Sequence, residues 1–283
     1  MLEKFMENYK LLIIIPVIIT ILAVGTIAFD GVDEGIELKG GSIAVLKMNN
    51  PISSVALENQ IKDALNNQGI DVQELAVVSN SGQDVTIQMG TEMNQTTFTN
   101  AIGNTAEVIS YNSIGPVLGQ EAMTQIYWAV GFAFLFMSIT IFIIFREPVP
   151  AVTVILAAII DMIVAMAGMS IFNIPLSIAS VGALLMVIGY SIDTNLLLTT
   201  RILKRREGTV VERAEGALKT GMTMSITAIA SMAVLYTVTV ILIPEASVLS
   251  DIAAVLLFGL IGDILTTWFM NLGILRWYVE VRQ

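Results

Sequence analysis

The chain has 283 residues and a net charge of −10, and 55% of its residues are hydrophobic while only 13% are charged. Soluble domains carry about 25% charged residues, so this composition indicates a chain that lies largely within a lipid bilayer. The absence of cysteine and histidine excludes disulfides, thiolate metal sites and histidine-based catalysis. The acidity is unsuited to nucleic acid and no P-loop is present, so we expect no nucleic-acid partner, no metal and no cofactor.

Six apolar segments are long enough to cross a bilayer as helices, for which about 20 residues are needed. The first spans residues 11–29, after a short N-terminus (1–10), and acidic residues follow it instead of a cleavage site. We therefore interpret it as a retained transmembrane helix and not as a signal peptide. The other five lie within residues 122–275, before a C-terminus of residues 276–283, at about 122–145, 149–172, 174–200, 221–243 and 248–275.

The basic residues predict the orientation of these helices. If the six helices alternate in direction, 11 of the 14 basic residues fall on one side of the membrane, and six of them lie in the loop 201–219. Positively charged loops are retained in the cytoplasm, so we expect both termini and this loop to lie there, in a cell membrane, with residues 30–121 outside. The same loop is expected to contact anionic membrane lipids, and docking to a cytoplasmic partner is the alternative.

Residues 30–121 hold 12 of the 24 acidic residues and only 3 basic ones, yet their pattern is that of a folded domain. Strands are predicted at 42–48, 72–78, 85–89 and 107–111, helices at 54–67 and 97–105, and a turn at 81–82. The order β-α-β-β-α-β predicts a small split-βαβ-like α+β domain. The fold class is therefore a polytopic α-helical membrane protein with six transmembrane helices and one extracytoplasmic α+β domain.

Aspartates inside the predicted helices are the leading functional candidates. A charged aspartate at the centre of a bilayer costs roughly 2.5–3.5 kcal/mol, so such residues usually face a bundle interior or a wet cavity. Asp193 is the first candidate for a proton or ion pathway, because small and polar residues surround it, Asn195 among them. Asp161 and Asp263 are the other two. An interfacial, capping or merely packed aspartate remains an alternative at each position.

Basic partners for these carboxyl groups are scarce, because no lysine or arginine lies inside a predicted helix. Lys219, at the predicted cytoplasmic start of the fifth helix, is the nearest, and we include it in the candidate pathway. Asp251 lies near the outer end of the sixth helix beside Ser250, where the pattern favours a helix-capping role.

Four motifs, in this order and with this topology, resemble those of the SecF family, whose members are subunits of SecDF protein-export complexes in the RND superfamily. Two lie on either side of the predicted outer domain, and two lie in the fourth and fifth helices. Their residues are Gly35, Gly40 and Gly41; Gly115 and Pro116; Gly189, Tyr190 and Asp193; and Ser225. Thr220 stands where the bacterial type has an arginine, so the chain looks like the archaeal type.

The resemblance implies an accessory subunit of protein export that uses an ion gradient and not ATP. It implies three partners: a SecD-like six-helix subunit, the Sec translocon channel and a translocating polypeptide. The helices would form half of an RND bundle, and no enzymatic activity is expected. One alternative is a self-contained RND-type half-transporter of small solutes. The other is an intramembrane aspartyl protease using Asp193 and Asp263, although the residues before Asp263 do not match its Gly-x-Gly-Asp motif.

Overall fold

Helices account for most of the chain. The computed structural model describes residues 9–49, 52–67, 69–70, 72, 74–80, 84–103, 105–204, 208–243 and 246–282. The elements are α1 (Tyr9–Asp30), α2 (Ile36–Lys39), β1 (Gly41–Met48), α3 (Ser54–Asn67), β2 (Ala76–Asn80), β3 (Asp84–Met89), α4 (Gln95–Ile102), β4 (Ala106–Ile114), α5 (Pro116–Phe145), α6 (Pro148–Phe172), α7 (Ile178–Lys204), α8 (Val210–Leu242), α9 (Ser247–Leu265), a π-helical segment (Thr266–Asn271) and α10 (Leu272–Arg282).

Six helical segments of the described chain are long and apolar enough to cross a membrane. They are α1, α5, α6, α7, α8 and the continuous run from α9 through the π segment into α10. Together with the small sheet domain between α1 and α5, they confirm the predicted fold class.

The centre of the bundle is formed by α6, α7 and α9, which contact one another. Glycines permit this close packing: Phe258 of α9 lies against Gly168 of α6, and Val187 of α7 lies against Gly259 of α9. A Cβ at either glycine would come within 2.4 Å of these side chains. Large apolar side chains of α1, α5 and α8 are exposed, as a lipid-facing surface requires.

Several helices begin earlier than the hydropathy alone predicts. The second membrane helix, α5, starts at Pro116 and not near 122, because Gly115 caps it and proline suits the first turn. The fifth, α8, starts at Val210 and not near 221, because Thr209 and Glu212 form a capping box. Much of the predicted loop 201–219 is therefore helical, while residues 205–207 of it lie outside the described part of the chain.

The domain has the predicted β-α-β-β-α-β order. Its four strands pair antiparallel in the order β2-β3-β1-β4. Both β1 and β2 are antiparallel to β3 and so run parallel to each other on its two sides, which is the split-βαβ arrangement. The helices cover one face of the sheet, and Leu57, Leu65 and Phe98 are buried there against Leu46 and Ile87.

Helix α3 matches its predicted bounds, and β1, β3, α4 and β4 lie within a few residues of theirs. The second strand is displaced to Ala76–Asn80 from the predicted 72–78. The position of β2 is set by its pairing with β3 and not by the apolar residues on which the prediction was based. The predicted turn at 81–82, the N-terminus 1–8 and the residues 244–245 of the last predicted loop fall outside the described residues.

The bundle has two distinct ends. At the domain end, the connection between α6 and α7 touches the segment that follows α1: Gly35 donates its N–H to the oxygen of Leu176 at 2.8 Å. At the opposite, basic end, Lys204 donates to the oxygen of Ile144 at 3.1 Å, and Arg213 donates to the oxygen of Ile202 at 2.8 Å. Basic side chains thus gather at the end away from the domain.

Candidate functional site

Two carboxyl groups lie close together in the centre of the bundle, one on α6 and one on α9. Asp161 is fully buried and Asp263 is 1% exposed. The hydroxyl of Thr194, on α7, lies 2.7 Å from Oδ1 and 2.8 Å from Oδ2 of Asp263 and donates to this carboxyl group. Thr267 donates to Oδ1 at 2.9 Å. The carboxyl group of Asp263 therefore joins α7 to the sixth membrane segment.

Thr266 links the two aspartates. Its hydroxyl lies 2.7 Å from Oδ1 of Asp161 and 3.3 Å from the backbone oxygen of Asp263. Gly262 allows α9 to lie close to Asp161 of α6, since a Cβ at position 262 would stand 3.3 Å from Oδ1 of Asp161. The second oxygen of Asp161, Oδ2, is buried and has no hydrogen-bond partner among the described residues. A buried polar atom without a partner is costly, so the described residues leave the hydrogen bonding of Asp161 incomplete at this oxygen.

The π-helical segment supplies much of the polar layer around this pair. Its wider turn redirects side chains, and such turns are frequent at functional sites. Asn271, at its end, donates to Oδ1 of Asn195 at 2.6 Å, and Asn195 donates to the backbone oxygen of Ser191 at 2.8 Å. All three residues are fully buried. The polar layer thus continues from the carboxyl pair toward the basic end, through the predicted residue Asn195 and through Asn271, which was not predicted.

Asp193 lies outside this layer. Its side chain is exposed on the surface of α7, together with Gly182, Met186, Gly189 and Tyr190. No atom lies within 4 Å of where a Cβ would stand on either glycine. The structure does not bring Asp193 to the carboxyl pair, and its role in a pathway stays a prediction.

Three other predicted positions lie on the last long helices. Lys219 is exposed on α8 and forms no ion pair with any described residue. Ser225 is buried, and its hydroxyl has no partner among the described residues. Asp251 lies within α9, beyond the N-cap residue Ala246, so it does not cap the helix. The roles of Lys219 and Ser225 stay predictions.

The glycines of the first two motifs join the domain to the bundle. Gly40 has a φ of 84° and lies against Pro116, whose Cα would be 2.8 Å from a Cβ. Gly41 has a φ of 132° and lies against the backbone oxygen of Met89. A side chain would be strained at both positions, which explains the two glycines. Gly115 provides the N-cap of α5 beside them.

A set of hydrogen bonds fixes the same junction from the other side. The N–H of Leu176 donates to the oxygen of Asp33 at 2.7 Å, next to the Gly35 contact. The N–H of Ile178 donates to the carboxylate of Glu37 at 2.9 Å. The first two motifs therefore hold the domain on the bundle, which is a positioning role.

Two titratable groups of the domain are shifted by their surroundings. The Lys39 ammonium donates to Glu74 at 2.7 Å, and this hydrogen bond, together with the charge of Lys39, lowers the pKa of the Glu74 carboxyl group. Burial raises the pKa of Tyr111, whose hydroxyl donates to the oxygen of Met93 at 2.8 Å. The first contact ties α2 to the loop before β2.

Comparison with known sequences identifies the family. The family model described as "Protein export membrane protein SecD/SecF, C-terminal" matches residues 94–281. A "Protein-export membrane protein SecF" from Methanothermobacter thermautotrophicus is 56% identical over 282 residues, which cover 100% of this chain and 96% of that protein. A protein of the same description from Pyrococcus furiosus is 40% identical over 284 residues, covering 99% of this chain and 92% of the relative.

Solved structures show the same fold. The crystal structure of SecDF from Thermus thermophilus matches with a TM-score of 0.74 and 18% identity, covering 97% of this chain. The chain spans 38% of the length of that SecDF chain. A heavy metal efflux pump matches with a TM-score of 0.51 and 16% identity over 82% of this chain and 30% of the pump chain.

The fold and the buried polar layer define a multi-pass helical membrane protein of the architecture that SecDF and the efflux pump share. Within that class, the extent of the family match and the identity to the archaeal relatives settle the assignment. The chain belongs to the SecD/SecF family of protein-export membrane proteins, as a SecF subunit.

Proposed function

We propose that this chain is a non-enzymatic accessory subunit of protein export that uses an ion gradient through Asp161 and Asp263. Its partners in this proposal are a SecD-like six-helix subunit, the Sec translocon channel, a translocating polypeptide and the surrounding lipid. The similarity to archaeal protein-export membrane proteins supports the export role. The much greater length of the matching SecDF chain supports a second six-helix subunit.

The observation that carries the ion-gradient proposal is the pairing of two carboxyl groups in the membrane centre. A negative charge there is costly, and two adjacent negative charges would also repel each other. A proton or cation bound at the pair relieves both effects. Hydroxyl groups of Thr194, Thr266 and Thr267 supply hydrogen bonds that can readjust when the charge changes. Binding and release of an ion would thus change the contacts that hold α6, α7 and α9 together.

Replacing one carboxyl group tests this proposal. Asp263→Asn keeps the size of the side chain and one acceptor oxygen but cannot carry a negative charge. We expect the variant to assemble with its partner and to reduce gradient-dependent export in membrane vesicles to about the level without a gradient. Asp161→Asn should behave in the same way.

Asp33→Asn is the matched control, because Asp33 is an exposed carboxyl outside the membrane-spanning helices. It should export at the rate of the unchanged protein. Full gradient-dependent export by both Asp161→Asn and Asp263→Asn would contradict the ion-gradient proposal.

We further propose that the partner subunit docks on the exposed face of α7, which is formed by Gly182, Met186, Gly189, Tyr190 and Asp193. A carboxyl group exposed to lipid is costly, so a polar group of a partner must cover Asp193. The open space at both glycines allows a second helix to approach closely. A homodimer of half-transporters would use the same face, and cross-linking distinguishes the two arrangements.

A further inference from the structure

A large cavity lies between the α+β domain and the domain end of the bundle. Its volume is about 720 Å³, within the range of roughly 300–1,000 Å³ that ligand sites occupy. The open face of the sheet forms one wall, opposite the face that α3 and α4 cover. The ends of α6, α8 and α9 form the other wall. None of the residues of the proposed ion site lines this cavity, so the cavity is a separate feature.

The sheet wall presents two rows of side chains in register. In the first row, Ile43 of β1 lies between Gln88 of β3 and Asn112 of β4. In the second row, Val45 lies between Thr86 and Ser110 in the same way. Each row therefore has an aliphatic centre and polar ends. The amide groups of Gln88 and Asn112 can both donate and accept hydrogen bonds.

The wall on the bundle side is apolar with a hydroxyl rim. Phe258 and Leu257 of α9 and Phe172 of α6 provide the apolar surface. Tyr236 of α8 and Ser250 of α9 add hydroxyl groups. The cavity therefore offers hydrogen bonds on one side and apolar contact on the other.

The charged groups that line the cavity are both acidic. Glu37 lies at the junction, and Asp251 is half-buried in the wall formed by α9. Among the described lining residues there is no lysine or arginine. A bound group that carries positive charge is favoured here, and the phosphate of an anionic lipid is disfavoured.

We propose that this cavity binds an extended stretch of polypeptide in which a basic side chain lies between apolar ones. The backbone amides of an extended chain need donors and acceptors that do not depend on sequence, and the sheet wall supplies them. The aromatic wall receives the apolar side chains, while Asp251 and Glu37 face the basic group. The inference rests on the proposed export function, because it assigns a binding site for the exported polypeptide to this chain.

A peptide-binding measurement tests the proposal on the full chain purified with its six-helix partner. The probe is a short fluorescent peptide of alternating leucine and lysine, and the matched peptide has glutamate in place of lysine. Ser110→Trp fills the cavity from the exposed sheet face and should weaken binding of the lysine peptide by about tenfold or more, which is ~1.4 kcal/mol or more. Val55→Trp, on the exposed surface of α3, is the control and should leave the affinity unchanged.

A second variant tests the charge. Asp251→Asn should weaken binding of the lysine peptide several-fold and reduce its salt dependence, because one attractive charge is lost. The glutamate peptide should bind far more weakly to the unchanged protein. Equal binding of the two peptides, or full binding by Ser110→Trp, would overturn the proposal.

Two other results would overturn it in favour of another occupant. Binding to the chain alone that disappears in the complex would show that the partner subunit fills the cavity. Displacement of the peptide by vesicles containing an anionic lipid, but not by neutral ones, would assign the cavity to lipid. The measurement needs no ion gradient. If the unchanged protein fails to bind the lysine peptide but shows normal gradient-dependent export, only this inference is refuted. If the unchanged protein binds the peptide but its export does not depend on the gradient, only the proposed ion coupling is refuted.

Discussion

For Asp193, the motif and the structure indicate different environments. The motif match makes it the leading candidate for the ion pathway, whereas the structure places it on an exposed face of α7. The motif match and the exposed position are both explained if a partner subunit covers this face and brings its own polar groups to Asp193. The carboxyl group would then lie at the boundary between two bundles.

We predict that Asp193→Asn assembles with the partner but loses gradient-dependent stimulation of export. Asparagine fills the same volume and can still form hydrogen bonds, so docking should persist, while titration is abolished. The measurement is export in vesicles that contain matched amounts of each variant. Full activity would remove Asp193 from the ion pathway and leave Asp161 and Asp263 as the coupling residues.

The sequence identifies the buried carboxyl groups individually but not their partners. Asp161 and Asp263 stand out because charged residues are rare in apolar segments. Their pairing depends on the relative rotation of α6 and α9, which hydropathy does not encode. Asn271 was missed because a single asparagine near a helix end is ordinary. Asn271 ends the π-helical segment, which shifts the helical phase, and its side chain donates to Asn195.

At the scale of elements, the exposed face of α7 is the surface that we propose a partner subunit covers. Its surrounding helices α6 and α9 bury the opposite side, and Thr194 and Asn195 point into the bundle while Asp193 does not. The absence of cysteine from the chain makes a cross-linking test direct, because an introduced cysteine is unique.

We predict that a cysteine at Gly189 cross-links to the six-helix partner in native membranes. The position is open, so the new side chain is accommodated without a clash. Phe136→Cys, on the exposed surface of α5, is the control and should remain uncross-linked. A Gly189 cross-link to a second copy of this chain would favour the half-transporter alternative.

Element type was more predictable than element boundary. Hydropathy identifies all six spans, because each must present about 20 apolar residues to the bilayer. It cannot find where a helix continues into water. The starts of α5 and α8 follow from local signals, a proline after Gly115 and the capping box of Thr209 and Glu212. Those signals were present in the sequence and would have given the observed bounds.

At the scale of the whole molecule, the α+β domain has its own core and should fold without the bundle. Its core is formed by buried residues of both helices and of the central strands, and Phe98 is fully buried there. We predict that a fragment of residues 41–114 is soluble, has a mixed α/β circular dichroism spectrum and unfolds cooperatively.

Phe98→Ala should abolish that cooperativity, because the loss of a buried phenylalanine costs about 3–5 kcal/mol. This is a large part of the roughly 5–15 kcal/mol that stabilises an ordinary domain. Val55→Ala, at an exposed position of α3, should change little. A random-coil spectrum of the unchanged fragment would show that the domain depends on its junction with the bundle.

The orientation of the molecule in the membrane follows from the separation of its two ends. The domain lies at one end, and basic side chains such as Lys204 and Arg213 gather at the other. Positive loops are retained in the cytoplasm, so we predict that the basic end and both termini are cytoplasmic and that the domain is outside. Single cysteines at two exposed positions, Lys62 in α3 and Lys204 in α7, can report this in intact cells. A membrane-impermeant maleimide should label Lys62→Cys at once and Lys204→Cys only after the membrane is opened. The reverse pattern would place the cavity and the sheet in the cytoplasm, where an emerging exported chain cannot reach them.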